Sequence, residues 1–204
     1  MFIVPMGTPG ISVVPMRLLG EHNINQTFYD DVRVPAANLV GGENNGWGLI
    51  TNQLNYERLS LAPPGMVERC YEDVVRYAKD TKLADGRRVI DQEWVQINLA
   101  RVHAKTEFLK LINWKVSTGK INPGDASSAK VFGTEFMTEA YRLLLEVLGP
   151  TGALRRGSPQ AALQGRIERA MQGALILTFG GGTNEVQRDL IALFGLGMPR
   201  IPRH

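Results

Sequence analysis

The sequence has few of the features that mark specialised protein classes. It has one cysteine, Cys70, which excludes an internal disulfide framework and suits a reducing compartment. No apolar run approaches the ~20 residues that a membrane-spanning helix needs. The 23 basic and 20 acidic residues nearly balance and are scattered along the chain, so the charge pattern does not indicate nucleic-acid binding.

The hydrophobic pattern changes its period once along the 204 residues. Residues 1–40 are rich in Val, Ile, Phe, Pro and Gly, with short alternations that favour strands and turns. From Gly46 onward, apolar residues recur at helical spacing. We therefore predict a mainly α fold, an antiparallel four-helix-type bundle over residues 44–204 that follows a short β segment over residues 1–43.

Turn signals divide the helical part into segments. The proline pair Pro63-Pro64 should bend or interrupt the first segment, and the polar stretch 80–91 predicts a loop. A turn is expected at Asn122-Pro123-Gly124. The later helices are predicted over residues 94–119, 127–148, 159–178 and 183–194. Short connections of this kind favour antiparallel neighbours in a helix bundle.

A glycine-rich segment near the end of the chain is the strongest local signal. Gly180, Gly181 and Gly182 follow an apolar stretch, and Thr183 or Asn184 then caps a new helix. The N–H groups at such a helix start can hold phosphate or the polar edge of a ring. The pattern also fits a simple helix stop followed by a helix start, and the loop alone does not separate the two interpretations.

The residues after the glycines resemble the closing signature of the acyl-CoA dehydrogenase family, Gly-Thr-x-Glu-x-x-Arg. They read Gly-Thr-Asn-Glu-Val-Gln-Arg over residues 182–188. Further matches follow in the family's order. Residues 2–16 and 28–35 are similar to parts of its middle β-domain, and residues 45–59 to its first long C-terminal helix. The resemblance covers nearly the whole chain, and because family members are considerably longer, it implies a C-terminal fragment.

The resemblance also implies a catalytic base at Glu57. In the family, one glutamate removes an α-proton of the acyl thioester while the β-hydrogen leaves as hydride to flavin. Most members carry this glutamate in the final loop, where this chain has Gly181. The isovaleryl- and long-chain-type members place it in a Leu-x-x-Glu-Arg-Leu segment, which matches residues 54–59. A glycine in the loop leaves room for a carboxylate from the helix; the alternative is an exposed structural glutamate.

The ligand contacts that the resemblance implies fall on two segments of the chain. The expected FAD contacts are Thr183, Asn184 and Glu185. The expected contacts to the acyl-CoA substrate are Tyr56, Arg58, Gly181 and Gly182. The backbone N–H of Gly181 matches the family's donor to the thioester carbonyl. No metal site is expected.

Two family contacts to the FAD of a neighbouring subunit are missing from the sequence. Residues 81–85 stand in place of an Arg-x-x-Phe-Gly motif, and residues 146–152 in place of a Gln-x-x-Gly-Gly-x-Gly turn. A lost arginine removes a strong charge-assisted contact to pyrophosphate. Because a homodimer would need both contacts on one chain, the resemblance implies an oligomer with a paralogous subunit. Actinobacterial α2β2 acyl-CoA dehydrogenases that act on steroid side-chain thioesters have this organisation.

Two hypotheses about function stay open at this point. The first is an FAD-dependent acyl-CoA dehydrogenase of the bacterial cytoplasm, which uses Glu57 as base and passes electrons to an acceptor such as electron-transfer flavoprotein. The second is a non-catalytic helical assembly subunit that supports a paralogous dehydrogenase. The joint change at Glu57 and Gly181 favours the first hypothesis, and the missing arginine favours the second.

Overall fold

The computed structural model describes residues 1–20, 23–119 and 122–200 and divides into two compact units, residues 1–54 and 55–204. Two β-strands come first: β1 (Ile11–Arg17) and β2 (Asn23–Tyr29). Six α-helices follow: α1 (Gly46–Ser60), α2 (Pro64–Asp80), α3 (Glu93–Thr118), α4 (Pro123–Leu148), α5 (Arg166–Ala174) and α6 (Asn184–Leu190). The predicted fold class, mainly α with a short β segment before it, is confirmed.

The first unit is built around one β-hairpin. β1 pairs antiparallel with β2, so that Ile11 lies opposite Tyr29. Gly10 precedes β1 with φ +91°, and its carbonyl accepts a hydrogen bond from the Asp30 N–H at 2.9 Å. A Cβ at Gly10 would lie 2.2 Å from the Asp30 carbonyl oxygen, so the close approach of the two chains requires glycine there.

The proline pair ends one helix and starts the next. α1 ends at Ser60, Pro63 is extended, and Pro64 occupies the first turn of α2. Proline is tolerated at this position because the N–H that it lacks would have no intrahelical partner. The predicted interruption is therefore confirmed, and it lies between Glu57 on α1 and the buried face of α2.

α4 begins earlier than the sequence pattern predicted. The predicted start was residue 127, after a turn, whereas the helix starts at Pro123. Asn122 is its N-cap, and the Asn122 side chain accepts from the Gly124 N–H at 2.7 Å. The expected turn is thus the cap and first turn of the helix.

The hydrophobic core of the second unit surrounds α4. This helix packs against α2, α3, α5 and α6. Its fully buried side chains include Met137, Tyr141 and Leu144, which meet Val67 and Val74 of α2 in the same core. The helix therefore occupies a central position in the second unit.

The predicted helix over residues 159–178 is shorter than expected. α5 covers only Arg166–Ala174, with 3-10 turns at Ala162–Gly165 and Leu175–Thr178 on either side. Leu163, Gln164 and Gly165 have positive φ values of 48°, 58° and 71°, which an α-helix cannot contain. In the parts of the chain that the structure describes, no helix is long and apolar enough to cross a membrane.

Candidate active site

The glycine loop joins the end of one helical turn to the start of α6. It follows the 3-10 turn Leu175–Thr178 and ends at Thr183. Gly181 and Gly182 have φ values of 68° and 94°, in the left-handed region that glycine enters without strain. Thr183 is the N-cap of α6, and its hydroxyl accepts from the Val186 N–H at 3.4 Å. Of the two caps that the sequence allowed, the structure thus selects Thr183.

Arg58 connects α1 to this loop. Its Nε donates to the Gly181 carbonyl at 3.5 Å, and its Nη1 donates to the Asn55 side chain at 2.7 Å. Burial lowers the pKa of the Arg58 guanidinium, and the charge of the neighbouring Glu57 carboxylate acts in the opposite direction. Glu57 is half-buried, whereas Tyr56 is exposed. The structure therefore brings the helix that carries Glu57 against the glycine loop through Arg58.

The space beside the Gly181 Cα belongs to a neighbouring side chain. A Cβ at residue 181 would lie 2.5 Å from Leu61 Cδ1 and 3.8 Å from Arg58 Cγ. A side chain here would also have to adopt the left-handed backbone conformation. A glutamate at residue 181 would therefore require a shift of the Leu61 side chain and would strain the backbone.

A buried lysine lies beneath the loop. Lys130 of α4 is 0% exposed, and its ammonium donates to the Thr178 carbonyl at 3.2 Å, to the Gly182 carbonyl at 2.9 Å and to Asn184 Oδ1 at 2.7 Å. Burial lowers the pKa of Lys130, the charge of Arg58 adds to that effect, and the Glu135 and Glu185 carboxylates oppose it. Three donors on one ammonium thus meet three acceptors.

Two further residues of α4 complete the support of the loop. Asn184 Nδ2 donates to Thr134 Oγ1 and to Glu135 Oε1, both at 3.2 Å. Arg188 Nη2 lies 2.8 and 2.9 Å from the two oxygens of the same Glu135 carboxylate. Gln187, which is also buried, donates to the Gly181 carbonyl at 3.1 Å. The loop and the first turn of α6 are therefore bonded to one face of α4.

The residues expected to contact FAD differ in their exposure. Glu185 is exposed, and hydrogen bonds from its own backbone N–H and from Thr183 lower the pKa of its carboxyl. Gly182 is exposed and Thr183 half-buried. The Asn184 side chain is buried and bonded to α4, so only its backbone remains for a ligand. The predicted ligand roles of these residues stay predictions.

The sequence pattern did not reveal Lys130, Thr134, Glu135 or the loop contact of Gln187. A lysine among buried neighbours, Ala129 and Val131, was the available signal, because lysine at a core position needs a polar partner. That partner is a loop almost fifty residues further along the chain, which the hydrophobic period of a helix does not reveal.

Thr81 and Glu146 stand at the two positions where the sequence lacks the expected intersubunit donors, and both residues form hydrogen bonds within the chain. Thr81 caps the end of α2, and its N–H donates to the Tyr77 carbonyl at 2.9 Å. Glu146 accepts from the Asn98 side chain at 3.1 Å and so links α4 to α3. The Thr81 hydroxyl has no positive charge and the Glu146 carboxylate has no N–H, so neither side chain offers the guanidinium or amide donor expected for a neighbouring cofactor.

Comparison with known proteins identifies the family. Residues 44–195 match the family described as Acyl-CoA dehydrogenase, C-terminal domain. The chain belongs to the acyl-CoA dehydrogenase family. Acyl-CoA dehydrogenase FadE26 of Mycobacterium tuberculosis is 54% identical over 98% of this chain and 52% of its own length. The chain thus spans about half the length of the curated relatives that it matches.

Two solved structures of this family share the fold. The ChsE4-ChsE5 complex from Mycobacterium tuberculosis matches with a TM-score of 0.91 and 56% identity, over 98% of this chain and 52% of that chain. The Tcur3481-Tcur3483 steroid ACAD matches with a TM-score of 0.88 and 42% identity over the same shares. Both are complexes of two named subunits.

Proposed function

We propose that the protein catalyses the FAD-dependent α,β-dehydrogenation of an acyl-CoA thioester, with Glu57 as the base. The observation that carries the proposal is the contact between Arg58 and the Gly181 carbonyl, 3.5 Å long. It joins the helix with the family's alternative base position to the loop where most members carry the base. The loop position itself is a glycine with a left-handed backbone, which agrees with a base supplied from α1.

The residues near the loop fit a flavin cofactor and a thioester. Thr183 and Glu185 offer a hydroxyl and a carboxylate at the start of α6, and the exposed Gly182 allows a ligand to approach the backbone closely. When bound, FAD would accept the hydride that leaves the substrate's β-carbon. Thr183, Glu185 and the backbone of Asn184 would hold the cofactor.

The chain's own part in the reaction is proton removal and charge stabilisation. Glu57, which is half-buried on α1, takes the α-proton as general base. The backbone N–H of Gly181 donates to the thioester carbonyl and so acidifies the α-proton. Tyr56, Arg58 and Gly182 surround the same thioester, and Arg58 keeps the helix and the loop together.

Substitution Glu57→Gln tests this function. The amide keeps the shape of the side chain, so FAD and acyl-CoA should still bind, while the rate of flavin bleaching by substrate should fall by about 10²- to 10⁴-fold. The measurement is anaerobic stopped-flow absorbance in the flavin bands on the full-length assembly. Glu72→Gln, an exposed glutamate of α2, is the matched control and should leave the rate unchanged. Bleaching at the normal rate in Glu57→Gln would rule out this base.

For the quaternary structure, we propose an α2β2 assembly with a paralogous subunit. Thr81 and Glu146 occupy the positions of the family's two intersubunit donors, and the similar solved structures are two-subunit complexes. A paralogue would supply the arginine and the glutamine. If the chain instead binds no FAD even with such a paralogue present, the second hypothesis, a non-catalytic assembly subunit, is the correct one. Flavin absorbance of the co-purified complex decides between them.

For the substrate, we propose a CoA thioester of a steroid side chain. The support is the 42% identity to a protein described as a steroid ACAD. A bacterial cytoplasmic location and an electron acceptor such as electron-transfer flavoprotein follow from the family in the same way. Rates of bleaching with steroid-side-chain and straight fatty acyl thioesters, compared on one preparation, test the substrate; faster reduction by the fatty acyl thioester would contradict it.

A further inference from the structure

Lys130 is the most deeply buried charged side chain near the proposed site. It is 0% exposed on the buried face of α4, and its ammonium contacts three oxygens, two of backbone carbonyls and one of a side-chain amide. Burying an ammonium costs free energy unless hydrogen bonds compensate it. Apolar packing therefore does not explain a lysine at this position, and its hydrogen bonds have to be considered.

The three acceptors lie before, within and after the glycine loop. Thr178 O belongs to the last residue of the preceding 3-10 turn, Gly182 O to the loop, and Asn184 Oδ1 to the first residue of α6. One ammonium thus fixes both ends and the middle of the loop to α4. Asn184 is held in turn by Thr134 and Glu135 of the same helix.

The direction of the carbonyls determines the direction of the neighbouring N–H groups. A trans peptide places the C=O and the next residue's N–H on opposite sides of the chain. The Gly181 carbonyl faces Arg58 and Gln187, and the Gly182 carbonyl faces Lys130. The N–H groups of Gly182 and Thr183 therefore point away from these three side chains, and neither finds a protein acceptor within residues 1–20, 23–119 and 122–200.

We propose that Lys130 is a positioning residue that fixes the loop at the Thr178 and Gly182 carbonyls, so that the N–H groups of Gly182 and Thr183 face the ligand side and the Gly181 N–H between the two fixed carbonyls keeps its place. This role rests on the proposed function for what the loop binds. The effect of Lys130 on the loop geometry is independent of the proposed function, because that geometry can be measured without substrate.

The test compares Lys130→Met with Lys105→Met in the full-length protein with its partner subunit. Lys105 of α3 also links two helices, through Glu139 of α4, and is the matched control. The first readout is amide hydrogen exchange of Phe179, Gly180, Val186 and Gln187, whose N–H groups are hydrogen-bonded on either side of the loop. Exchange there should be at least about tenfold faster in Lys130→Met and unchanged in Lys105→Met.

The second readout separates binding from the reaction step. Misplaced backbone donors act mainly on the transition state, so flavin bleaching in Lys130→Met should slow by about 10²- to 10³-fold while the acyl-CoA Kd changes by less than a few-fold. A general loss of folding would instead lower the bleaching rate and weaken acyl-CoA binding together. If Lys130→Met does not fold, Lys130→Ala with added propylammonium decides, because the amine can refill the site and should restore the exchange protection; no restoration overturns the proposal.

Failure of the positioning role and failure of the proposed function give different results. Unchanged amide exchange across residues 179–187 in Lys130→Met overturns the positioning role. A wild-type complex that no acyl-CoA thioester can bleach overturns the proposed function, while the exchange comparison still decides whether Lys130 holds the loop.

Discussion

α3 and α4 have the same length, 26 residues each, but opposite relations to the core. α4 buries more than half of its residues, including the polar Lys130 and Thr134. α3 buries fewer than a quarter of its residues. The two helices pack against each other, so one is the centre of the second unit and the other is part of its outer layer.

The outer face of α3 carries large exposed apolar side chains among charged ones such as Arg101, Glu107 and Lys115. Its exposed large side chains are Trp94, Ile97, Phe108, Leu111 and Trp114. Trp114 is 74% exposed and Leu111 64%. An apolar stripe on an outer helix is typical of a surface that another chain covers. α4 therefore positions the candidate site, while α3 is suited to association.

The largest stability effect is expected at the centre of α4. Leu144 is 0% exposed, so Leu144→Ala should lower the free energy of unfolding by about 2–5 kcal/mol through lost burial and a residual cavity. Urea denaturation measures it. On α3, Leu111→Ala should change the same quantity by less than about 0.5 kcal/mol below the concentration at which chains associate. Equal losses in the two variants would refute the central and outer roles of the helices.

A smaller loss is expected where α4 approaches the loop before α2. A Cβ at Gly133 would lie 2.4 Å from the Ala62 Cβ and 3.2 Å from Leu109 Cδ1. In Gly133→Ala, overpacking should lower the free energy of unfolding by about 1–3 kcal/mol. The better helix propensity of alanine should offset up to about 1 kcal/mol of that loss. Gly65→Ala, in open space on α2, is the matched control and should not destabilise. Thermal melts of both variants check the difference, and a more stable Gly133→Ala would contradict the packing argument.

The smallest effect on stability is expected on the outer face of α3. Trp114→Ser should change the free energy of unfolding by less than about 0.5 kcal/mol but weaken association with the partner subunit. Sedimentation velocity of the mixed subunits measures the association. Lys79→Ser, at an exposed position of α2, should assemble normally. Unchanged assembly of Trp114→Ser would show that this face is not part of the interface.

Local sequence patterns predicted the helices well where a single period governs them. The pattern placed one helix at residues 94–119, and α3 covers Glu93–Thr118. It failed for residues 159–178, because three successive left-handed residues interrupt the helix and only one of them is a glycine. Leu163 and Gln164 carry no sequence signal for that conformation, because neither is a residue type that favours it.

The candidate site was predictable in part, for a related reason. Glu57 and the glycine loop are contiguous segments, so a resemblance to a family could place them. Lys130 lies on a helix whose period predicts only which face is buried. Its three acceptors come from residues 178–184, and such a long-range set of hydrogen bonds becomes visible only in the folded chain.

The left-handed backbone at Gly181 has an evolutionary consequence. With φ at +68° and Leu61 Cδ1 2.5 Å from the place of a Cβ, this site resists any non-glycine residue. A glutamate at residue 181 would therefore need a shift of the Leu61 side chain and a strained backbone, so a single substitution there carries a stability cost. If Glu57 is the base, as proposed, this strain favours keeping the carboxylate on α1.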